Sequence, residues 1–363
     1  MFGLLTNLLR GGNRAIEAHA SGKADARSPA DQVAAPVHVL RNEGLVRLVD
    51  GYLTFAAPDG REDQIRLDEV SQLSLFGNAG VTSPCLRELM RRGIPVVWRS
   101  PNGYYLGQTI DLAGQSTAVR RAQYRAAEDS ARVLSIACAL VKAKLVNARG
   151  LLRRSAANAS DTLYLMRKLA KAAGKASSLP QLLGIEGAGA AAFYAALPEM
   201  IAAGRRGDFP WDGRRRRPPT DAMNALFSYL YAVVAGECAA AALAAGLDPL
   251  VGFLHSERPG RPALALDLLE PFRPVIADAV ALAVVNRGEI RREHFETSDE
   301  SVLLNNRGRH VALNGLERRF ADTVPARTAR ETPMSWREAI AAQARFLAKT
   351  LRTSEQFVCF ERG

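Results

Sequence analysis

The chain reads as an α+β protein, a β-rich N-terminal module followed by a larger helical one, and two observations predict it. Short β-branched and aromatic runs separated by turn residues fill the stretch from Val37 to Leu112. Beyond Ser116, Ala, Leu and Arg recur at helical spacing instead, as at Ala122, Ala126, Val133, Leu134, Ala137 and Val141. With 363 residues and 48% hydrophobic content, the chain has apolar surface for two cores, so disorder is not its default state.

The elements follow in order. Residues 11–36 are rich in Gly, Ala, Ser and charge without a sustained period, and residues 1–36 together read as a flexible extension. Strand-like runs come next at 37–40, 45–49, 52–55, 65–67 and 72–75, with turn chemistry at Asp50-Gly51 and Pro58-Asp59-Gly60. Thr82-Ser83-Pro84 is an N-cap with an early proline, and Gly93 closes the short helix that it opens. A buried strand at 94–98 follows, and Asn102-Gly103 turns the chain into a further strand at 104–108. The expected units are therefore the extension 1–36, a β-rich domain 37–112 and a helical domain 113–363. Two stretches interrupt the helical domain, Lys175 to Pro180 and Arg214 to Pro219.

Charge and cysteine usage narrow the function. Lys plus Arg number 48 against 37 acids, a formal charge of +11, which favours a polyanion such as nucleic acid as partner. Cys85, Cys138, Cys238 and Cys359 form no CxxC pair, so neither a zinc finger nor a dense disulfide scaffold is indicated, and a reducing cytoplasm fits best. The first residues lack the basic start of a secretion signal. The most hydrophobic stretch, 229–247, is mainly alanine with Glu237 inside it, so it reads as a buried helix and no membrane partner is expected. No P-loop, dinucleotide fingerprint or serine-nucleophile elbow is present, so ATP and nicotinamide chemistry are not expected.

One segment carries a metal-like pattern. His255 precedes the turn Arg258-Pro259-Gly260-Arg261-Pro262, and beyond it Asp267 and Glu270 are three residues apart. If 263–270 is helical, both carboxylates share a face within reach of one ion, and either acid fits as ligand. One imidazole with oxygen donors and no thiolate points to Mg²⁺ or Mn²⁺; the alternative for His255 is a structural histidine. Asp267 has three equal readings: ligand of a second ion, holder of a metal-bound water, or hydrogen-bond partner that orients His255. Glu186, isolated among small residues, reads from sequence alone as an acid at the start of a helix. Arg214, Arg215, Arg216 and Arg217 form a basic run behind Phe209 and Trp211, a candidate phosphate contact whose plain alternative is a solvated loop. The pairs Lys142 with Lys144 and Arg153 with Arg154 lie on expected helices and are further candidates for a DNA path.

Read together, Arg217 to Tyr231 (RPPTDAMNALFSYLY), Gly252-Phe253-Leu254-His255 and Leu266 to Pro274 (LDLLEPFRP) resemble the CRISPR-associated adaptation endonuclease, the integrase subunit of spacer acquisition. Leu303 to Arg309, Thr82-Ser83-Pro84 and Gly103 to Gly107 extend the likeness from Val37 to the C-terminal region. The resemblance implies a β-sandwich-like N-terminal domain and a helical, metal-binding catalytic domain. It further implies a metal held by Glu186, His255 and Glu270, with Asp267 beside it. It also implies a double-stranded DNA substrate, a homodimer, and a complex with a small ferredoxin-like adaptation protein. A fragment-trimming nuclease is a further partner, and residues 1–36 inherit no role. Two other readings are a metal-dependent nuclease acting on branched or damaged DNA, and a non-catalytic DNA-binding scaffold.

Overall fold

The computed structural model describes residues 8–10, 34–40, 43–56, 60, 62–110, 116–215, 218–324, 333–353 and 355–362. It divides into two units, residues 1–111 and 112–363.

Among the described residues the N-terminal unit has two sheets. Strands β1 (Leu8–Arg10), β2 (Ala35–Val39), β6 (Val70–Phe76), β8 (Val96–Arg99) and β9 (Tyr105–Gln108) form a five-stranded sheet in that order. Strands β5 (Glu62–Arg66), β4 (Tyr52–Ala56), β3 (Leu45–Val49) and β7 (Gly80–Val81) form the second. The β3–β4 hairpin follows from its turn: Asp50 and Gly51 both have positive φ, 48° and 82°, which a two-residue turn between twisted antiparallel strands requires. Val37, Val39, Leu73, Leu75 and Val96 of one sheet share a core with Val46, Leu53, Phe55 and Ile65 of the other. Helix α1 (Ser83–Arg91) seals that core with Cys85 and Leu89.

Within the stretch read from sequence as a flexible extension, residues 8–10 and 34–36 are described. Leu8–Arg10 pairs antiparallel with Val37–Val39. Without that pairing β2 would be an edge strand with unsatisfied backbone groups, which gives this short apolar segment a partner. Residues 11–33 lie outside the described ones.

The C-terminal unit is built around α3 (Ser130–Ser155), a 26-residue helix whose N-cap Asp129 accepts from the backbone N–H groups of Ala131 and Arg132. Helices α4 (Ser160–Ala173), α5 (Leu179–Ala195) and α8 (Ala263–Phe272) all pack on it. Helix α2 (Thr117–Glu128) precedes α3, and the short α6 (Leu197–Met200) follows α5. Helix α7 (Ala222–Ala244) packs against α8 and the last helix, α11 (Trp336–Arg352). By length and composition α7 could cross a membrane, yet 72% of its apolar window is buried inside the protein, so its hydrophobicity is used by the core.

An all-helical C-terminal domain is also corrected. Besides α9 (Ala279–Asn286) and α10 (Asn306–Ala321), the unit contains the antiparallel pair β10 (Phe295–Thr297) and β11 (Val302–Leu304). The pair β12 (Thr323–Val324) and β13 (Met334–Ser335) is a second. The strands of the first pair, Phe295-Glu296-Thr297 and Val302-Leu303-Leu304, are three residues long and flank a turn closed by Ser298 and Ser301, too short to nucleate helix.

Candidate metal centre

Helix α5 begins earlier than its glycines suggest. Ser178 caps it and Pro180 lies in its first turn, so Glu186 sits in mid-helix and not at a helix start. That placement corrects the sequence reading of Glu186 as an acid at the start of a helix. Gly189 has a packing reason: a Cβ there would lie 2.2 Å from Leu145 Cδ2, so its absence lets α5 approach α3 closely.

Helix α8 is equally specific. It contains Pro271 and runs directly into a π-type turn, Arg273–Asp278, with Pro274 near its start. The two prolines remove N–H donors from the ladder and free carbonyls, which makes the wider register tolerable. Asn147 of α3 donates to the Pro271 carbonyl at 2.7 Å, tying the turn after Glu270 to the central helix. Asn147 also holds the chain's end, donating to Phe360 O and accepting from Arg362 N.

Asp267 and His255 form a closed unit. Asp267 is fully buried; its Oδ2 accepts the N–H groups of Phe253 at 2.5 Å and Leu254 at 3.0 Å. Its Oδ1 accepts the His255 N–H at 2.9 Å and lies 2.8 Å from His255 Nδ1. The loop folds onto the acid because Gly252 has no Cβ, which would stand 2.8 Å from Asp267 Oδ2 and 2.9 Å from Ala263. With Nδ1 directed at Asp267, the ring presents its Nε2 toward Glu270, whose Oε1 lies 3.8 Å away.

Glu270 is 2% exposed and lies between two cations. Arg273 Nη2 is 3.1 Å from Oε1, and Lys144 Nζ is 2.6 Å from Oε2. Lys144 also pairs with Glu186 Oε1. Burial alone drives the Glu270 pKa up, but Arg273, then Lys144 and His255, outweigh it and hold the group down to about 2. Burial lowers the Lys144 pKa, yet Glu270 and Glu186 raise it overall, so the ammonium stays charged. Glu270 Oε2 is buried, and its polar contact is the 2.6 Å ion pair with Lys144.

The residues therefore fit a hard divalent ion. Glu186 Oε1 and Glu270 Oε2 are oxygen donors that both contact one positively charged point, and the imidazole Nε2 lies 3.8 Å from the other oxygen of Glu270. Among the described residues no three such ligands close into a preformed cage, since the Lys144 ammonium stands between the two carboxylates.

The remaining sequence candidates separate. Arg214 is not a solvated cation: it donates to Asn224 Oδ1, Arg215 O and Ser228 Oγ, with its guanidinium over Phe227 and Tyr231. Arg215 is exposed and pairs with Asp212. Arg216 and Arg217 lie outside the described residues. An open cavity of about 590 Å³ begins at Ala190, one helical turn beyond Glu186, and is lined by Tyr194, Trp211, Gly213 and Arg214. Sequence reasoning placed Lys144 on a DNA path and missed its inward role, because no spacing links it to Glu186 or Glu270. It also missed Asp278, buried against the Tyr231 hydroxyl, whose pKa burial raises to about 6.

The family profile described as CRISPR associated protein Cas1 matches residues 37–318, more than three quarters of the chain. The chain belongs to the Cas1 family. It is 33% identical to CRISPR-associated endonuclease Cas1 3 of Thermus thermophilus, a match covering 87% of this chain and 93% of that protein. It is 38% identical to a Cas4 exonuclease/Cas1 endonuclease fusion of Geobacter sulfurreducens and 42% identical to one of Rhodospirillum rubrum. Those matches cover 89% and 80% of this chain, which spans only 59% and 51% of the two fusions. Its fold resembles a Cas1 protein of Thermotoga maritima, with a TM-score of 0.71 at 23% identity over 88% of this chain and 97% of that one. A casposase bound to its integration product has a TM-score of 0.72 at 22% identity, over 88% and 91%. The Cas1 match begins at Val37, inside β2.

Proposed function

We propose that this Cas1 chain is a metal-dependent DNA endonuclease and integrase that inserts short foreign-DNA fragments into a CRISPR repeat array. The observation that carries it is that Glu186 and Glu270 meet at one cation, Lys144, while the Asp267-bound His255 faces the other oxygen of Glu270 at 3.8 Å. The endonuclease name of the Thermus relative and the casposase's integration product support the same chemistry.

In this reading the 3′-hydroxyl oxygen of the fragment attacks a phosphodiester phosphorus at the repeat border. One P–O bond forms, one breaks, and the departing 3′-oxygen takes a proton, so no external energy source is needed. Glu186, His255 and Glu270 would hold Mg²⁺ or Mn²⁺, which would supply stabilisation of phosphoryl charge and a lowered pKa for the attacking hydroxyl. Asp267 is the orienting partner of His255, because all its short contacts go to the imidazole and to backbone N–H groups. Arg273 holds Glu270 ionised, so the carboxylate is ready as a ligand across the physiological range. Trp211 lines the adjacent cavity, where an aromatic face suits a base at the fragment end.

The working assembly is a homodimer joined to the small ferredoxin-like adaptation protein in the cytoplasm. The Cas6-RT-Cas1–Cas2 complex with a similar fold, TM-score 0.72 at 21% identity, supports such a partner. The Cas4 portion of the fusion relatives supports a trimming nuclease working with this chain.

Strand transfer tests the function, using a labelled fragment, a repeat-bearing plasmid and Mg²⁺ or Mn²⁺, with and without the adaptation partner. Joined products are expected, and their loss in Glu270→Gln with DNA binding retained. Cleaved products alone would assign the nuclease reading instead.

A further inference from the structure

We infer that Lys144 is a resident cation that holds Glu186 and Glu270 together in the metal-free protein and must be displaced when the ion binds. The inference rests on the metal-centre reading above and concerns what opposes that binding.

The geometry is that of a placeholder. The Lys144 side chain, 8% exposed, reaches from α3 to contact Glu186 of α5 and Glu270 of α8, joining three helices through one ammonium. Two carboxylates directed at one buried point repel each other unless a positive charge lies between them. Arg273 supplies no such bridge, because it meets the other oxygen of Glu270 and its guanidinium stacks over Tyr231.

Lys144 and a divalent ion cannot share the position. Both are positive, and an ion held by Glu186 and Glu270 would compete for the carboxylates that the ammonium now contacts. A lysine can leave where an arginine cannot easily do so. Its charge is compact and its four-carbon stem flexible, whereas Arg273 is fixed by a planar stack. Lys144 therefore lowers the metal affinity of the centre while preserving its shape, and it supplies the cation that keeps Glu186 and Glu270 aligned between rounds of metal binding.

Calorimetric titration of the full chain with Mn²⁺, alongside thermal unfolding without metal, tests this. Lys144→Met keeps the stem and removes the charge; it is expected to melt lower than wild type without metal and to bind Mn²⁺ about tenfold more tightly. Manganese should then raise its melting temperature by more than it raises that of wild type. Equal or weaker Mn²⁺ binding by Lys144→Met would overturn the inference, since a residue that merely positioned the ligands would lower affinity on removal. Lys144→Gln, which keeps a donor for the carboxylates, repeats the measurement if the methionine variant does not fold. Glu270→Gln separates the two readings. If it binds Mn²⁺ as wild type does, the metal centre itself is misplaced; if it loses binding while Lys144→Met gains none, only the role of Lys144 falls.

Discussion

Asp267 Oδ1 lies 2.8 Å from His255 Nδ1 and also accepts the backbone N–H of His255 at 2.9 Å, so one buried carboxylate oxygen fixes both the ring and the chain that carries it. A ring held at both points has little freedom to turn its Nε2 away from Glu270. In Asp267→Asn one acceptor becomes an NH₂ group facing N–H donors. Strand transfer is expected to fall about 10–100-fold with DNA affinity retained, together with a lower melting temperature. Unchanged strand transfer in a folded Asp267→Asn protein would show that the acid does not orient the ring.

Glu270 makes stability depend on acid in a defined direction. Its folded pKa, about 2, lies below the ordinary 4.5, so the stability it contributes is complete above 4.5 and disappears as pH falls toward 2. Urea midpoints of wild type and Glu270→Gln should therefore converge as pH is lowered through that window. A gap that stays constant down to pH 3 would contradict the ion-paired state.

Asp278 acts in the opposite sense. Burial raises its pKa from 3.8 to about 6, against the Tyr231 hydrogen bond and the pull of Arg273, Lys144 and Arg214. The folded protein holds that proton more tightly than the unfolded chain, so its contribution is present below 3.8 and lost as pH rises through 6. Wild type should lose stability relative to Asp278→Asn across this range, measured as the difference in melting temperature.

Gly189 sets the distance between the helices that carry Lys144 and Glu186. Gly189→Val places methyl groups where Leu145 already stands and should destabilise the protein by about 1–3 kcal/mol in urea unfolding. Metal affinity should fall with it, because α5 cannot move away from α3 without drawing Glu186 from Lys144 and Glu270.

Arg214 and Arg215 are adjacent in sequence and should behave differently. Arg214→Ala removes hydrogen bonds to Asn224 and Ser228 and should cost about 1–3 kcal/mol of stability. Arg215→Ala should leave stability unchanged and reduce the slope of DNA affinity against salt, as loss of a phosphate contact does. Equal stability losses in the two variants would remove the distinction.

Sequence alone determined what depends on neighbours along the chain. The change from period two to the helical period, the Asp50-Gly51 hairpin, the early proline at the start of α1 and the three-residue spacing of Asp267 and Glu270 are all local signals, set by backbone sterics and by side chains a few residues apart. The choice of Glu186 rested on likeness to known motifs, since nothing local marks it. Only the tertiary structure decided what those acids face. It turned Asp267 onto backbone N–H groups and His255, aimed Glu270 at a lysine 126 positions earlier in the chain, placed Glu186 in mid-helix and drew Arg214 inward. The physical reason is range. A buried charge must find its counter-charge wherever packing supplies one, and for Glu186 and Glu270 packing supplies the ammonium of Lys144, a residue with no periodic relation to either.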